Sequence, residues 1–182
     1  MSVLGGSLAR RYARAIIEIA KEEGLVEKFA EELASVDGIF HESKENLRAL
    51  SNDFFDLTSR LAAMKEITEK VQLHPLLANF LLVLVQKERI GFLADVAREY
   101  QRMSDDLLGI ARVTVTGPKT PDTALLERVE KILKEKIHKK IIATGEASPE
   151  IIGGLLLKVD HKIYDGSLRN ELRKLKTSML ND

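Results

Sequence analysis

Cysteine is absent from the 182 residues, which excludes a disulfide framework, a thiolate zinc site and a cysteine nucleophile together. Net charge is lacking as well. The 28 basic residues balance 28 acidic ones, so there is no broad basic surface of the kind that gives nonspecific affinity for nucleic acid. No long hydrophobic run exists either: the longest apolar stretch, Leu76 to Val85, is interrupted by Asn79 and is about half of the roughly 20 residues that cross a bilayer. The first residues, Met1 to Arg14, carry three arginines but no uninterrupted apolar segment before a small-residue cleavage site. The expectation is therefore a cytoplasmic protein. What the chain does have is 45% hydrophobic and 31% charged residues, the balance of a folded protein with room for one ordinary domain or two small ones.

Glycine and proline are nearly missing inside the stretch from Ser7 to about Asp106, which is rich in Ala, Leu, Glu, Lys and Arg. That composition predicts helices. Breaks at Gly24, around His41 to Lys44, at Ser51 to Asp53, at His74-Pro75 and at Gly91 divide it into six, roughly 7–23, 25–40, 44–51, 56–72, 75–89 and 91–107. Connections this short make sequential helices neighbours in a bundle. After Gly109 the texture changes. Ala111, Val113 and Val115 alternate with Arg112, Thr114 and Thr116, the period-2 pattern of a half-buried strand, which Gly117-Pro118 ends. Thr123 to Ile137 returns to helical spacing. Lys140 to Thr144, Leu155 to Val159 and Lys162 to Tyr164 read as strands, the last two joined by a tight turn at Asp160-His161, and Ser167 to Leu180 reads as a closing helix. The predicted class is mainly α: an N-terminal six-helix bundle, residues 1–107, followed by a small α+β C-terminal module, residues 108–182. Up to Gly109 there are 14 basic and 18 acidic residues, and beyond it 14 and 10. Opposite signs suit two parts with different neighbours, and ordinary solvated faces explain them too.

Two helices carry more apolar surface than a surface helix needs. On the first, Leu8, Ala9, Tyr12, Ala13, Ala15, Ile16, Ile17, Ile19 and Ala20 fill an arc of about 200°, where a stripe of about 100° suffices. On the fifth, Leu76 to Val85 leaves only Asn79 and then Gln86 as a polar edge. Either both are central core helices, or they lie side by side and form a groove for an apolar helix from another protein. In the second case the partner-facing residues lie where apolar meets polar: Leu8, Tyr12, Ala15 and Ile19 on one helix, Leu76, Asn79 and Val83 on the other. Asn79 would then supply an interfacial hydrogen bond.

Signs of catalysis are missing. The histidines at 41, 74, 138 and 161 have no metal-site spacing and read as surface or capping residues. Gly117-Pro118-Lys119-Thr120 lacks the spacing of a phosphate loop, and Pro118 removes a backbone N–H that such a cradle requires. There is no nucleophile elbow. The expectation is a protein that is not an enzyme, without metal or cofactor.

The string Arg11-Tyr12-Ala13-Arg14-Ala15-Ile16-Ile17-Glu18-Ile19-Ala20 resembles the opening pattern of the delta (OSCP-type) subunits of bacterial F-type ATP synthase. Asn79 to Ile90 is similar to the fifth helix of that family. Nearer the C-terminus, Ile151-Ile152-Gly153-Gly154-Leu155-Leu156-Leu157-Lys158-Val159-Asp160, then Lys162 to Leu168 and the basic helix Arg169 to Lys176, resemble its signature of a glycine pair, strand, turn, Asp-x-Ser and helix. In physical terms Gly153-Gly154 marks a close backbone approach or a positive φ, and Asp165 or Ser167 can cap the last helix. The family often has a Gly-Asp turn at Asp160-His161 and a small aliphatic residue at Tyr164, so this chain departs from the pattern in that hairpin. The resemblance implies a non-catalytic stator subunit that links the catalytic head to the peripheral stalk and resists rotor torque. It implies an N-terminal domain whose first and fifth helices bind the N-terminal helix of an alpha subunit, with Tyr12, Ala15, Asn79 and Val83 at matching positions, and a C-terminal module that binds the b subunits. The place implied is the cytoplasmic face of the bacterial inner membrane, peripheral, as a monomer within the complex. A reading of another class is a helical scaffold or regulatory module unrelated to ATP synthase, with RNA as its partner through Lys131, Lys134, Lys136, Lys139 and Lys140; a solvated basic face explains those lysines equally well.

Overall fold

A computed structural model describes residues 3–51, 55–159 and 162–180. The protein is mainly helical, with a small four-stranded sheet in its C-terminal part. It divides into two compact units, residues 1–104 and 105–182.

In the first unit α1 spans Val3–Glu22, α2 Val26–Glu42, α3 Lys44–Ser51, α4 Leu57–Lys70 and α5 Pro75–Gln86; a 3-10 turn at Ile90–Phe92 leads into α6, Leu93–Leu108, within which the division falls. Most of the expected break at Ser51 to Asp53 lies outside the described residues. Three helices end by one device, in which a residue in the left-handed region lets the next N–H reach back to a carbonyl five positions earlier. Gly24 (φ 69) does this for α1, with Leu25 N–H to the Ala20 carbonyl at 2.8 Å; Gln72 (φ 56) for α4, with Leu73 to Thr68 at 3.1 Å; and Glu88 (φ 57) for α5, with Arg89 to Leu84 at 2.7 Å. The last two stop their helices two or three residues before the expected ends. At the start of α4, Asp56 caps the helix by accepting the Ser59 N–H at 3.1 Å.

The core of this unit takes Ala9, Ala13, Ile16 and Ala20 from α1, Phe29, Leu33 and Val36 from α2, and Leu77, Leu81 and Leu84 from α5. Full burial of one such leucine contributes about 1.5–3 kcal/mol. Neither α1 nor α5 is enclosed on all sides: Ile19 remains 40% and Val83 42% exposed.

The second unit holds β1 (Ile110–Gly117), α7 (Thr123–Ile137), β2 (Lys140–Ala147), β3 (Gly154–Val159), β4 (Lys162–Ser167) and α8 (Leu168–Leu180). Strand order is β2-β1-β3-β4, parallel between β1 and β2 and antiparallel elsewhere. The β1–α7–β2 crossover needs a helix to return the chain for parallel pairing. Ala111, Val113 and Val115 point into a core shared with Val129 of α7, Ile141 of β2 and Val159 of β3. Arg112 faces the other way and makes a two-pronged ion pair with Asp105 at 2.7 and 3.1 Å. The Glu130 carboxylate on α7 accepts the Ala143 N–H of the end strand β2 at 2.8 Å. The expected turn at Asp160-His161 lies outside the described residues.

Tyr100 of α6 is fully buried, and its hydroxyl donates to the Val26 carbonyl at 3.1 Å. Burial pushes its phenol well above the usual range. A tyrosine in the unfolded chain ionises near pH 10, whereas the folded one must stay protonated, so its stabilisation is complete below about pH 10 and is lost as pH rises beyond it. Tyr100→Phe is expected to lower stability at pH 7 by about 1 kcal/mol and to flatten the alkaline branch of the stability curve. Urea unfolding of both proteins from pH 7 to 11 checks this.

Candidate partner-binding surfaces

On α1 the buried positions 9, 13, 16 and 20 form one line, and Leu8, Tyr12, Ala15 and Ile19 form a second, about a quarter turn away. Leu8 and Tyr12 are half-buried, Ala15 and Ile19 exposed. On α5 the half-buried Leu76 and the exposed Asn79 and Val83 stand in the same relation to the buried Leu77, Leu81 and Leu84. The two helices meet through Tyr12 and Phe80, whose rings pack edge to face with centroids 6.3 Å apart, a favoured aromatic geometry. Phe80 was not among the residues expected at the site. Its outward neighbours alone gave no reason to select it, since the contact requires knowing how α1 and α5 approach.

Asn79 and Val83 also line a surface groove of about 620 Å³ on the other flank of α5, facing Leu57, Leu61, Ala62 and Lys65 of α4. Thus the structure joins Tyr12 to α5 but sets Asn79 and Val83 on the crest between α1 and α4. The Asn79 side chain has no hydrogen-bond partner among the described residues. Beside the Tyr12 line, Arg10 reaches Glu99 of α6 at 3.4 Å, and Arg102 reaches the same carboxylate at 3.1 Å.

The four C-terminal signature residues meet at one corner. Gly154 (φ 83) pairs with Ser167 across the β3–β4 ladder, and a Cβ there would overlap the Gly166 carbonyl. At Gly153 a Cβ would lie 2.6 Å from the Leu168 side chain. The Gly153 carbonyl accepts the Leu168 N–H at 2.9 Å. Ser167, not Asp165, caps α8: its hydroxyl oxygen accepts the Asn170 N–H at 3.3 Å, while the Asp165 carboxylate accepts the Ser167 N–H at 2.9 Å. Asn170, which carried no signal in the sequence, closes the loop by donating from its side-chain amide to the Asp165 carbonyl at 2.8 Å. The elements that meet here leave Ile152 75%, Leu172 66% and Ile163 63% exposed.

His74 caps α5 and His138 (φ 55) ends α7; His161 lies outside the described residues. Among the described residues no cluster of three histidines and acids stands ready for a metal, and no helix is long and apolar enough to cross a membrane. Lys131, Lys134 and Lys140 share a shallow depression with Glu127 and Glu130, so these three lysines have acidic groups among them.

Gly154→Ala combines a left-handed backbone with a backbone clash that no side-chain movement relieves. It is expected to destabilise the second unit by on the order of 3 kcal/mol. Gly153→Ala meets only the end of a leucine side chain and should lose far less. Thermal melts of the two variants separate these outcomes.

Residues 8–179 match the family described as ATP synthase delta (OSCP) subunit. ATP synthase subunit delta of Desulfatibacillum aliphaticivorans is 34% identical over 172 residues, 94% of each chain. The subunits delta of Geotalea uraniireducens and Geobacter sp. (strain M21) are 31% and 30% identical over 169 residues, 93% of this chain and 94% of theirs. In fold the chain is similar to one in the cryo-EM structure of the Toxoplasma gondii mitochondrial ATP synthase hexamer, with a TM-score of 0.72 over 95% of this chain and 97% of that one at 20% identity. With nearly its whole length matched by one family and by relatives above 30% identity, the chain belongs to the ATP synthase delta (OSCP) subunits.

Proposed function

We propose that this member of a family of non-catalytic stator subunits joins two partners in the peripheral stalk of F-type ATP synthase, one on each unit. The first unit, with its six helices as a bundle, receives the N-terminal helix of an alpha subunit on the α1/α5 edge. The second receives the b subunits. The site of action is the cytoplasmic face of the bacterial inner membrane, where the protein is held peripherally by these contacts.

The observation that carries the reading is the second apolar line on each of α1 and α5, left partly open after the core has taken the first. A helix laid along this line would cover Leu8, Ala15, Ile19, Leu76 and Val83 and meet Asn79 with a polar group. This is how amphipathic helices are recognised in grooves. Small Ala15 lets the incoming backbone approach closely. On the second unit, Ile152, Ile163 and Leu172 supply apolar area for the stalk, on elements locked together by the Gly153, Gly154, Asp165 and Ser167 corner. An adaptor under torque has no need of a reactive group; it needs two interfaces and a body that does not yield between them.

The test compares neighbours on α1. Ala15 is exposed and Ile16 fully buried. An aspartate at 15 stays solvated in the free protein but is buried unpaired under a docked helix. Ala15→Asp is therefore expected to weaken binding of a synthetic alpha-subunit N-terminal peptide at least about tenfold, with little change in melting. Ile16→Asp is expected to destabilise the fold itself by roughly 3 kcal/mol or more. Peptide titration and melting curves decide. If Ala15→Asp unfolds the protein, or leaves peptide binding intact, the groove is misplaced.

A further inference from the structure

Helix α5 has to present Leu76, Asn79 and Val83 at a fixed rotation, since a slip of one residue turns every side chain by about 100°. Its N-terminus is where such a slip would begin, because the first N–H groups of a helix lack partners within it. Pro75 at the first position gives up no N–H. The His74 imidazole accepts the Leu76 N–H through Nδ1, at a long 3.4 Å, and a bond of that length holds weakly.

The firmer hold comes from α2. The Glu32 carboxylate accepts the His74 backbone N–H at 2.9 Å, across 42 positions of sequence. Its side chain is only 14% exposed, and its other oxygen lies 3.8 Å from the Lys28 ammonium. One turn earlier on α2, the fully buried Phe29 ring packs against the His74 ring with centroids 5.4 Å apart. His74 is thus gripped by backbone and side chain from a single face of α2. The carboxylate also stands at the N-terminal end of α5, where negative charge is favoured. On the chain's other side the loop has no slack, because left-handed Gln72 and the Leu73-to-Thr68 hydrogen bond pin it to the end of α4.

We infer that Glu32 and His74 are positioning residues for the partner-binding edge: α2 presents nothing to the docking helix, yet sets where α5 starts and how it is turned. This rests on the α1/α5 edge being the docking surface. Glutamine at 32 keeps the length and an oxygen acceptor without the charge. Aspartate keeps the charge but withdraws the acceptor by one methylene, and neither change empties the core.

The experiment uses the full chain and the variants Glu32→Gln and Glu32→Asp, with amide hydrogen exchange at Leu76 and Ala78 and titration with the alpha-subunit N-terminal peptide. The expected result is exchange about tenfold faster and binding about tenfold weaker for Glu32→Asp, with Glu32→Gln, which loses only the contribution of the charge, impaired no more than about threefold in both. The inference is overturned if Glu32→Asp matches the parent in exchange, if Glu32→Gln is as impaired as Glu32→Asp, or if exchange rises while peptide affinity is unchanged. Failure of the parent protein to bind the peptide would count against the docking reading instead, and the exchange data would still decide whether Glu32 fixes the start of α5.

Discussion

The rest of the structure depends on how much apolar surface α1 and α5 can bury in their own unit. Ala9, Ala13 and Ala20 are completely buried, and side chains this small allow close approach of backbones while filling little width. The core therefore uses one line of α1 and leaves the adjoining line, Leu8, Tyr12, Ala15 and Ile19, at the surface. Wider residues at 9, 13 and 20 would push the helix outward and change what is left over. The same division holds on α5, where Leu77, Leu81 and Leu84 are consumed and Val83 is not. Buried core positions and exposed or half-buried positions thus occupy adjacent stripes of the same two helices, and the boundary between them is a quarter turn wide.

Much of this was legible in the sequence, because element type follows from local pattern. The alternation from Ala111 to Thr116 specified a strand, and its inward residues are the buried ones. Helix ends were less legible. Gly24 announces a left-handed stop, but Gln72 and Glu88 adopt the same conformation without being glycine, closed by the Leu73-to-Thr68 and Arg89-to-Leu84 hydrogen bonds, which composition does not mark. For the same reason α6 was expected to start at Gly91, where the chain first makes a 3-10 turn. That Ala15, Ile19, Asn79 and Val83 stay exposed could be read from a helical wheel, whereas the contacts of Phe80 and Glu32 could not, since each is made with a residue distant in sequence. The wheel likewise did not reveal α4 as the second wall beside Asn79 and Val83.

At the other end of the chain the signature residues turn out to be joinery. Gly154 admits the Gly166 carbonyl, Asp165 holds the Ser167 N–H, Ser167 caps α8, and Asn170 returns to Asp165. Each bond is modest, and their closure into one circuit is what fixes the direction in which α8 leaves the sheet. A reading by motif located the corner and left open which residue capped the helix; geometry assigns that role to the serine.

The two end strands of the small sheet share a property with a bearing on the protein's life before assembly. End strands offer unpaired backbone groups to any passing strand. On β2 the Ala143 N–H is already taken by Glu130, and at the end of β4 the Asp165 carbonyl and Ser167 N–H are taken by side chains of the corner. A subunit released from the ribosome with Ile152, Ile163 and Leu172 exposed runs the risk of sticking to its own copies. Acids and an amide close the sheet at these points, which leaves fewer free backbone groups for strand-to-strand pairing.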